Sequence, residues 1–332
     1  MIMELQQQPL FIQDFSMRWQ IMKKFYINLV VFFAILIIAL AGLDYLSMLE
    51  ETRTFIAELT DSTDYFINNG SAEIKPYIAR AQTQDGTTKL IIGDSVCRQM
   101  FLGLQEYNSD FTIIGSNGAI TVAGQYILAK EYLDNHPEAT DVFLILLPES
   151  LGRTFDTTYG YQYTVMPFAE TNTLGELDKN TLDIMASVYG DVFLNPRVVT
   201  AIDLSGINRK LYLNLLRDNA TGYTLSNYFE IADQYVVKIS DLCKERGVNF
   251  HLYPCPVSEI KKEEIDSLEE AFAESEIYRL NPNYLNMVYY YSADQAADGT
   301  HFSGDYANQK CYNEKIMSIF VDRELLEMLK FQ

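Results

Sequence analysis

Four short apolar runs punctuate the chain: KLIIG from Lys89, DFTIIG from Asp110, DVFLILLP from Asp141 and VNFHLYP from Val248. Each is too short for a buried helix, is rich in branched or aromatic residues and ends at glycine or proline, as strands covered on both faces do. Between them the apolar positions change to helical spacing, over Val96 to Tyr107, Val122 to Asn135 and Tyr228 to Arg246. In the last of these Tyr228, Ile231, Tyr235, Ile239 and Leu242 make one face and Gly247 supplies the stop. A final helix is predicted after Gly304, with Ile316, Ile319, Phe320 and Leu325 as its apolar positions. Strands alternating with helices predict a three-layer α/β/α sandwich around a mainly parallel sheet, with right-handed crossovers. In such sheets ligands bind beyond the carboxyl ends of the strands.

Two stretches depart from this alternation. Residues 153–226 are too long for one crossover and contain the aromatic group YGYQY, with Tyr159, Tyr161 and Tyr163, so they read as an insertion near the strand ends. Those tyrosines either pack into the core or form an exposed platform for a sugar ring. The second stretch, Phe25 to Leu43, has Asn28 as its one strongly polar residue and would span roughly 28 Å as a helix, the thickness of a bilayer's hydrocarbon core. Arg18, Lys23 and Lys24 precede it while Asp44, Glu50 and Glu51 follow, a bias that puts the N-terminus in the cytoplasm and the rest outside. The expected division is therefore a cytoplasmic N-terminus (1–24), a single-pass anchor (25–46), a stalk helix and linker (47–87) and an outer domain (88–332). A cleaved signal peptide, with Ala39 to Ala41 as its cleavage site, and a buried core helix are the alternatives.

Composition narrows the classes of partner. A net charge of −20 with no basic patch argues against nucleic acid. Cys97, Cys243, Cys255 and Cys311 fit no zinc or redox spacing, so no metal and no cofactor are expected. Cys97 and Cys255 both follow strands and could lie near each other, but spacing alone pairs no cysteines.

Chemistry is concentrated in two fragments about two hundred residues apart. Ser95, in IIGDS, directly follows the first strand and opens a helix, where its hydroxyl is either a simple cap or a nucleophile beside backbone N–H groups. In DGTHFS, Asp298 and His301 are three residues apart, so one turn can aim the carboxylate at one imidazole nitrogen and leave the other free. His136 and His251 sit in a helix-ending loop and a strand, where packing explains them.

Together, IIGDS after an apolar strand and DGTHFSGDYANQKCYNEKI before the last helix resemble the SGNH or GDSL hydrolase superfamily, over roughly Lys89 to the C-terminus. That resemblance implies a flavodoxin-like sandwich, Ser95 as nucleophile, His301 as base, Asp298 as its orienting acid and Asp94 as a structural tie. It also implies an oxyanion hole from the N–H groups of Ser95 and Gly118, with Gly115 as the fallback. The superfamily's third block carries an asparagine donor after the third strand; LLPESLGR has none, leaving Glu149 or Ser150 near that position.

With the anchor and its outward topology, the chain is similar to membrane-tethered SGNH proteins that O-acylate cell-envelope polymers, of the lipoteichoic-acid D-alanylation or exopolysaccharide O-acetylation type. The expectation is an O-acyltransferase, with acetyl as the favoured group, acting on a cell-surface polysaccharide or envelope polymer beside a multi-pass membrane O-acyltransferase. A surface carbohydrate esterase with the same three residues, and a non-catalytic assembly subunit, are the alternatives.

Overall fold

Arg18–Leu43 contains no acidic residue and lies within one helix, α1 (Gln8–Met48), in which every backbone group beyond the ends is bonded internally. This segment is long and apolar enough to cross a membrane, and a signal sequence meets the same description. The helix begins well ahead of the expected anchor over 25–46. The computed structural model describes residues 8–49, 52, 70–101, 110–156, 159–203, 212 and 225–303. The chain divides into two compact units, 1–67 with 204–210 and 68–203 with 211–332. Most of the expected stalk, the end of the helix predicted to Tyr107, the last predicted helix and Cys311 lie outside the described residues.

In the second unit the four apolar runs form β1 (Lys89–Gly93), β2 (Phe111–Gly115), β3 (Asp141–Leu146) and β4 (Asn249–Pro254). They pair in the order β2-β1-β3-β4 and every pairing is parallel. Alternate side chains serve opposite faces. Leu90, Ile92, Val142, Leu144 and Leu252 enter one core, while Ile91, Phe143, Ile145 and Tyr253 enter the other. Burial on both faces is why these strands are continuously apolar.

The first core is covered by α2 (Gly70–Gln82), α4 (Thr121–Asn135) and α8 (Leu225–Arg246), and the second by α3 (Ser95–Phe101). Layers of helix on both faces make the three-layer α/β/α sandwich. The helix α2 falls in the stretch expected to be stalk and linker, yet Ile74, Ile78 and Ala81 are buried in the first core. Its spacing of four and three residues is helical, but Pro76 interrupts the pattern.

The insertion supplies α5 (Met166–Glu170), α6 (Lys179–Tyr189) and α7 (Pro196–Asp203), all on the first core. Tyr161 and Tyr163 lie inside that core and only Tyr159 of the three is exposed, so the aromatic group is packing rather than a platform. The insertion is fastened to α2 by Ser71, which donates to Glu170, and by Lys75, which pairs with Glu170 and with Asp203 at 3.1 Å. A second fastening joins α6 to α8. Asp178 caps α6 by accepting from the Thr181 N–H at 3.0 Å, and its other oxygen accepts from Tyr235 and Lys238, both at 2.7 Å.

Burial opposes ionisation of Asp178, but the bonds from Lys238, Tyr235 and Thr181 outweigh it and hold the carboxyl well below the usual carboxylate range. A depressed folded pKa stabilises the fold above the ordinary value of about 3.9, and that stability is lost as pH falls toward the folded value. Asp178→Ala is expected to cost about 1–2 kcal/mol at neutral pH, the price of a lost cap and its partners. In urea unfolding series the gap between variant and wild type should narrow below about pH 4.

Candidate active site

The strand order places β1 between β2 and β3, so the chain reverses direction across the sheet beside the ends of β1 and β3. A crevice forms where crossovers leave in opposite directions, and Asp94 and Ser95 emerge there. Two glycines make this possible. A Cβ on Gly93 would lie 2.0 Å from the Ile145 carbonyl oxygen, and one on Gly115 would lie 2.4 Å from Arg98 Cα. Only glycine therefore lets α3 start so close to the sheet, which is the part Gly115 plays here.

Asp94 is fully buried and its carboxylate is surrounded by donors. One oxygen accepts from the N–H groups of Val96 (3.1 Å) and Cys97 (3.3 Å) and from the Cys255 thiol (3.6 Å). The other accepts from the Leu147 N–H (2.6 Å) and the Ser150 hydroxyl (2.8 Å). The loops after β1, β3 and β4 thus meet on one side chain. Burial and the nearby Asp94 charge push the Cys97 and Cys255 thiols up, so both remain protonated, and both are free. The end of β2 joins through the Gly93 carbonyl, which accepts from Ser116 N–H (2.9 Å), Ser116 hydroxyl (3.2 Å) and the Gln125 amide (2.8 Å).

From the far end of the described chain, Asp298, Gly299, Thr300 and His301 make a tight turn. One Asp298 oxygen accepts the N–H groups of Thr300 (3.0 Å) and His301 (2.8 Å), while Gly299 takes a φ of +83° that other residues rarely adopt. The second Asp298 oxygen lies 2.8 Å from His301 Nδ1, and His301 Nε2 lies 2.7 Å from Ser95 Oγ. Burial works against the Asp298 charge, but the bonds from His301 and Thr300 overcome it and lower its pKa. An ionised carboxylate only accepts, so Nδ1 carries the imidazole proton and Nε2 turns its lone pair to the serine hydroxyl. An arrangement of this kind can take the serine's proton as its oxygen attacks.

The turn is clamped to α3, the helix that Ser95 opens, by a residue that sequence reading missed. Gln99, one helical turn beyond Ser95, accepts from the Phe302 N–H at 3.1 Å and donates to the Phe302 carbonyl at 3.3 Å. Phe302 itself is buried against Tyr291, ring centroids 4.8 Å apart, and the Tyr291 hydroxyl donates to the Thr300 carbonyl. A glutamine at i+4 from a serine carries no special signal in a sequence; only the partner two hundred residues away gives it meaning.

Gly118 opens a single turn of 3-10 helix whose Asn117 cap accepts the Ala119 N–H at 2.9 Å. Among the described residues the N–H groups of Ser95 and Gly118 have no acceptor. The turn ends at Thr121, which has a φ of 56° and a ψ of 174°, a strained conformation for a β-branched residue. Glu149 and Ser150 are occupied elsewhere. The Ser150 hydroxyl is given to Asp94, while Glu149 accepts from the Thr300 hydroxyl at 3.3 Å and pairs with Lys261 at 3.4 Å. Neither has a donor to offer a developing oxyanion.

The remaining histidines are packed. His136 stacks on Tyr132 and bonds Asp85, and His251 stacks on Phe143 and bonds Asp141. Among the described residues no three His, Cys, Asp or Glu side chains are grouped to hold a metal ion.

No protein-family model matches the chain, and comparison with curated proteins returns no match. Among solved structures, one from Bacteroides fragilis NCTC 9343, provisionally named an acylhydrolase, is similar with a TM-score of 0.37 and 10% sequence identity. The alignment covers 78% of this chain and 98% of that one.

Two substitutions separate the tie from the clamp. Asp94→Asn turns an amide N–H₂ toward donors, and unfolding by urea should show a loss of about 2–4 kcal/mol, since bonds to a buried charged acceptor are each worth about 1.5–3 kcal/mol. Gln99→Ala is expected to leave the melting temperature within a few degrees while lowering kcat of any Ser95-dependent reaction by about 10²-fold through misplacement of His301.

Proposed function

We propose that the protein is an extracytoplasmic, membrane-anchored serine O-acyltransferase, in which Ser95 accepts an acyl group and passes it to a hydroxyl of a cell-surface polysaccharide or envelope polymer. The observation that carries this reading is the line from Asp298 through His301 to Ser95, with separations of 2.8 and 2.7 Å. Its chemistry is that of acyl transfer through a covalent intermediate.

Each residue has a place in the cycle. His301 Nε2 takes the Ser95 proton while Oγ adds to the acyl carbonyl, and the carbonyl's π pair moves onto its oxygen. The N–H groups of Ser95 and Gly118 supply hydrogen bonds to that oxygen. On collapse the C=O bond re-forms, the bond to the donor's leaving group breaks and His301 returns the proton to that group. The acceptor hydroxyl then repeats the sequence against the acyl-serine. Asp298 keeps Nδ1 protonated throughout and stabilises the imidazolium formed in between.

The acceptor is the part that the anchor bears on. A catalytic unit tethered by Arg18–Leu43 works at high effective concentration beside a membrane-embedded acyl source, for which a multi-pass O-acyltransferase is the fitting partner. The competing reading, a surface esterase, is favoured by one feature: the His301 side chain is 35% exposed and that of Asp298 58% exposed, so water reaches the base.

Intact-mass measurement of the full chain after brief exposure to p-nitrophenyl acetate should show one acetyl adduct, absent in Ser95→Ala. A Ser95→Ala protein that still forms the adduct and turns over at the wild-type rate refutes the proposal. Asp298→Asn should lower kcat by about 10⁴-fold, the loss found when a serine protease's histidine is left in the wrong tautomer. Chromatography of products with and without an oligosaccharide acceptor separates transfer from hydrolysis: transfer predicts an acetylated sugar, esterase action only acetate.

A further inference from the structure

Arg153 stands at the open side of Gly118. Its Nε lies 3.4 Å, and its Cζ 3.7 Å, from the position a Cβ on that glycine would take, and Ser150 Oγ lies 3.5 Å from the same point. Ser150 is the residue that donates to Asp94, the neighbour of Ser95. The turn that ends at Arg153 is therefore bonded through Ser150 to the residue beside Ser95. Its backbone is fixed: the 3-10 turn Pro148–Gly152 ends at Arg153, whose N–H bonds the Ser150 carbonyl at 3.3 Å.

What marks this side chain is what it lacks. In an acidic chain of net charge −20, other cations of these loops and helices have partners: Arg98 pairs with Glu73, and Lys261 pairs with Glu149 and Glu264. Among the described residues the Arg153 guanidinium has no hydrogen bond or ion pair. An unneutralised guanidinium beside Gly118, whose N–H is also unbonded, is a donor set for negative charge, and guanidinium donors form the stronger, charge-assisted bonds.

We propose that Arg153 is the third oxyanion donor: when Ser95 Oγ adds to an acyl carbonyl, the guanidinium hydrogen-bonds the oxygen that gains the electron pair, together with the N–H groups of Ser95 and Gly118. This rests on the acyl-serine reading above. Charge develops on that oxygen as the C–O bond to Ser95 forms, so the interaction strengthens in the transition state and acts on kcat rather than on KM. Glu149 and Ser150, nearer along the same turn, cannot take the role because their polar atoms are already committed.

The test uses the full chain and p-nitrophenyl acetate, a neutral substrate with no standing charge for arginine to bind. Ser95→Ala is run first: loss of turnover establishes the acyl-serine reading on which the rest depends, and its retention removes that reading and this proposal together. With Ser95 dependence established, Arg153→Ala should lower kcat by about 10²-fold with KM changed less than about threefold and the melting temperature unchanged. Arg153→Lys should recover part of the loss, and added guanidinium ion should partly rescue Arg153→Ala. Phosphonylation of Ser95 by a p-nitrophenyl phosphonate, whose adduct puts a charged oxygen in the same position, should slow in parallel. Unchanged kcat in Arg153→Ala, or a defect confined to KM for anionic substrates, overturns the proposal while leaving the acyl-serine reading in place; the latter result would make Arg153 a site for a standing negative charge on the substrate.

Discussion

One buried carboxylate holds the strand ends together. Taking a charge out of water costs several kcal/mol, and Asp94 is tolerated at zero exposure because five donors converge on it. Those donors come from the loops after β1, β3 and β4, so the requirement to satisfy one side chain sets the mutual position of three segments distant in sequence. Ser95, the next residue along, inherits that position. The site is rigid at this point because an unsatisfied alternative would be so costly.

A second carboxylate divides its work in a comparable way nearer the surface. One oxygen of Asp298 folds the turn by accepting two N–H groups, and the other orients the imidazole. Gln99 and Phe302 then dock the turn on α3, so that the imidazole meets the Ser95 hydroxyl from a fixed direction. Strain at Thr121 and the close approaches at Gly93 and Gly115 occur in the same quarter of the molecule. Local conflicts of that kind persist where surrounding structure over-determines the backbone.

The strands were the most legible part of the fold because burial on two faces leaves little room for polar residues, and KLIIG, FTIIG, DVFLIL and NFHLYP all appear as strands near their expected bounds. The long helices α4 and α8 were legible for a similar reason, a stripe repeated over several turns. The insertion was not. Its helices are short, and Tyr161 and Tyr163 are in a core that only tertiary contact with α2 and α4 creates. Likewise α2 looked like linker, since its apolar stripe is broken by Pro76 and its partners lie far along the chain.

Local chemistry, then, was written into the linear order: a serine at the end of an apolar strand, an acid three residues before a histidine, and one apolar stretch of membrane length. These follow from short-range geometry, which depends on neighbours in sequence. The separation between residues 95 and 301, the commitment of Glu149 and Ser150 to other partners, and the isolation of the Arg153 guanidinium follow from how loops after different strands meet. Hydrogen bonds and ion pairs act over a few ångströms of space rather than along the chain, so only the folded arrangement could decide them.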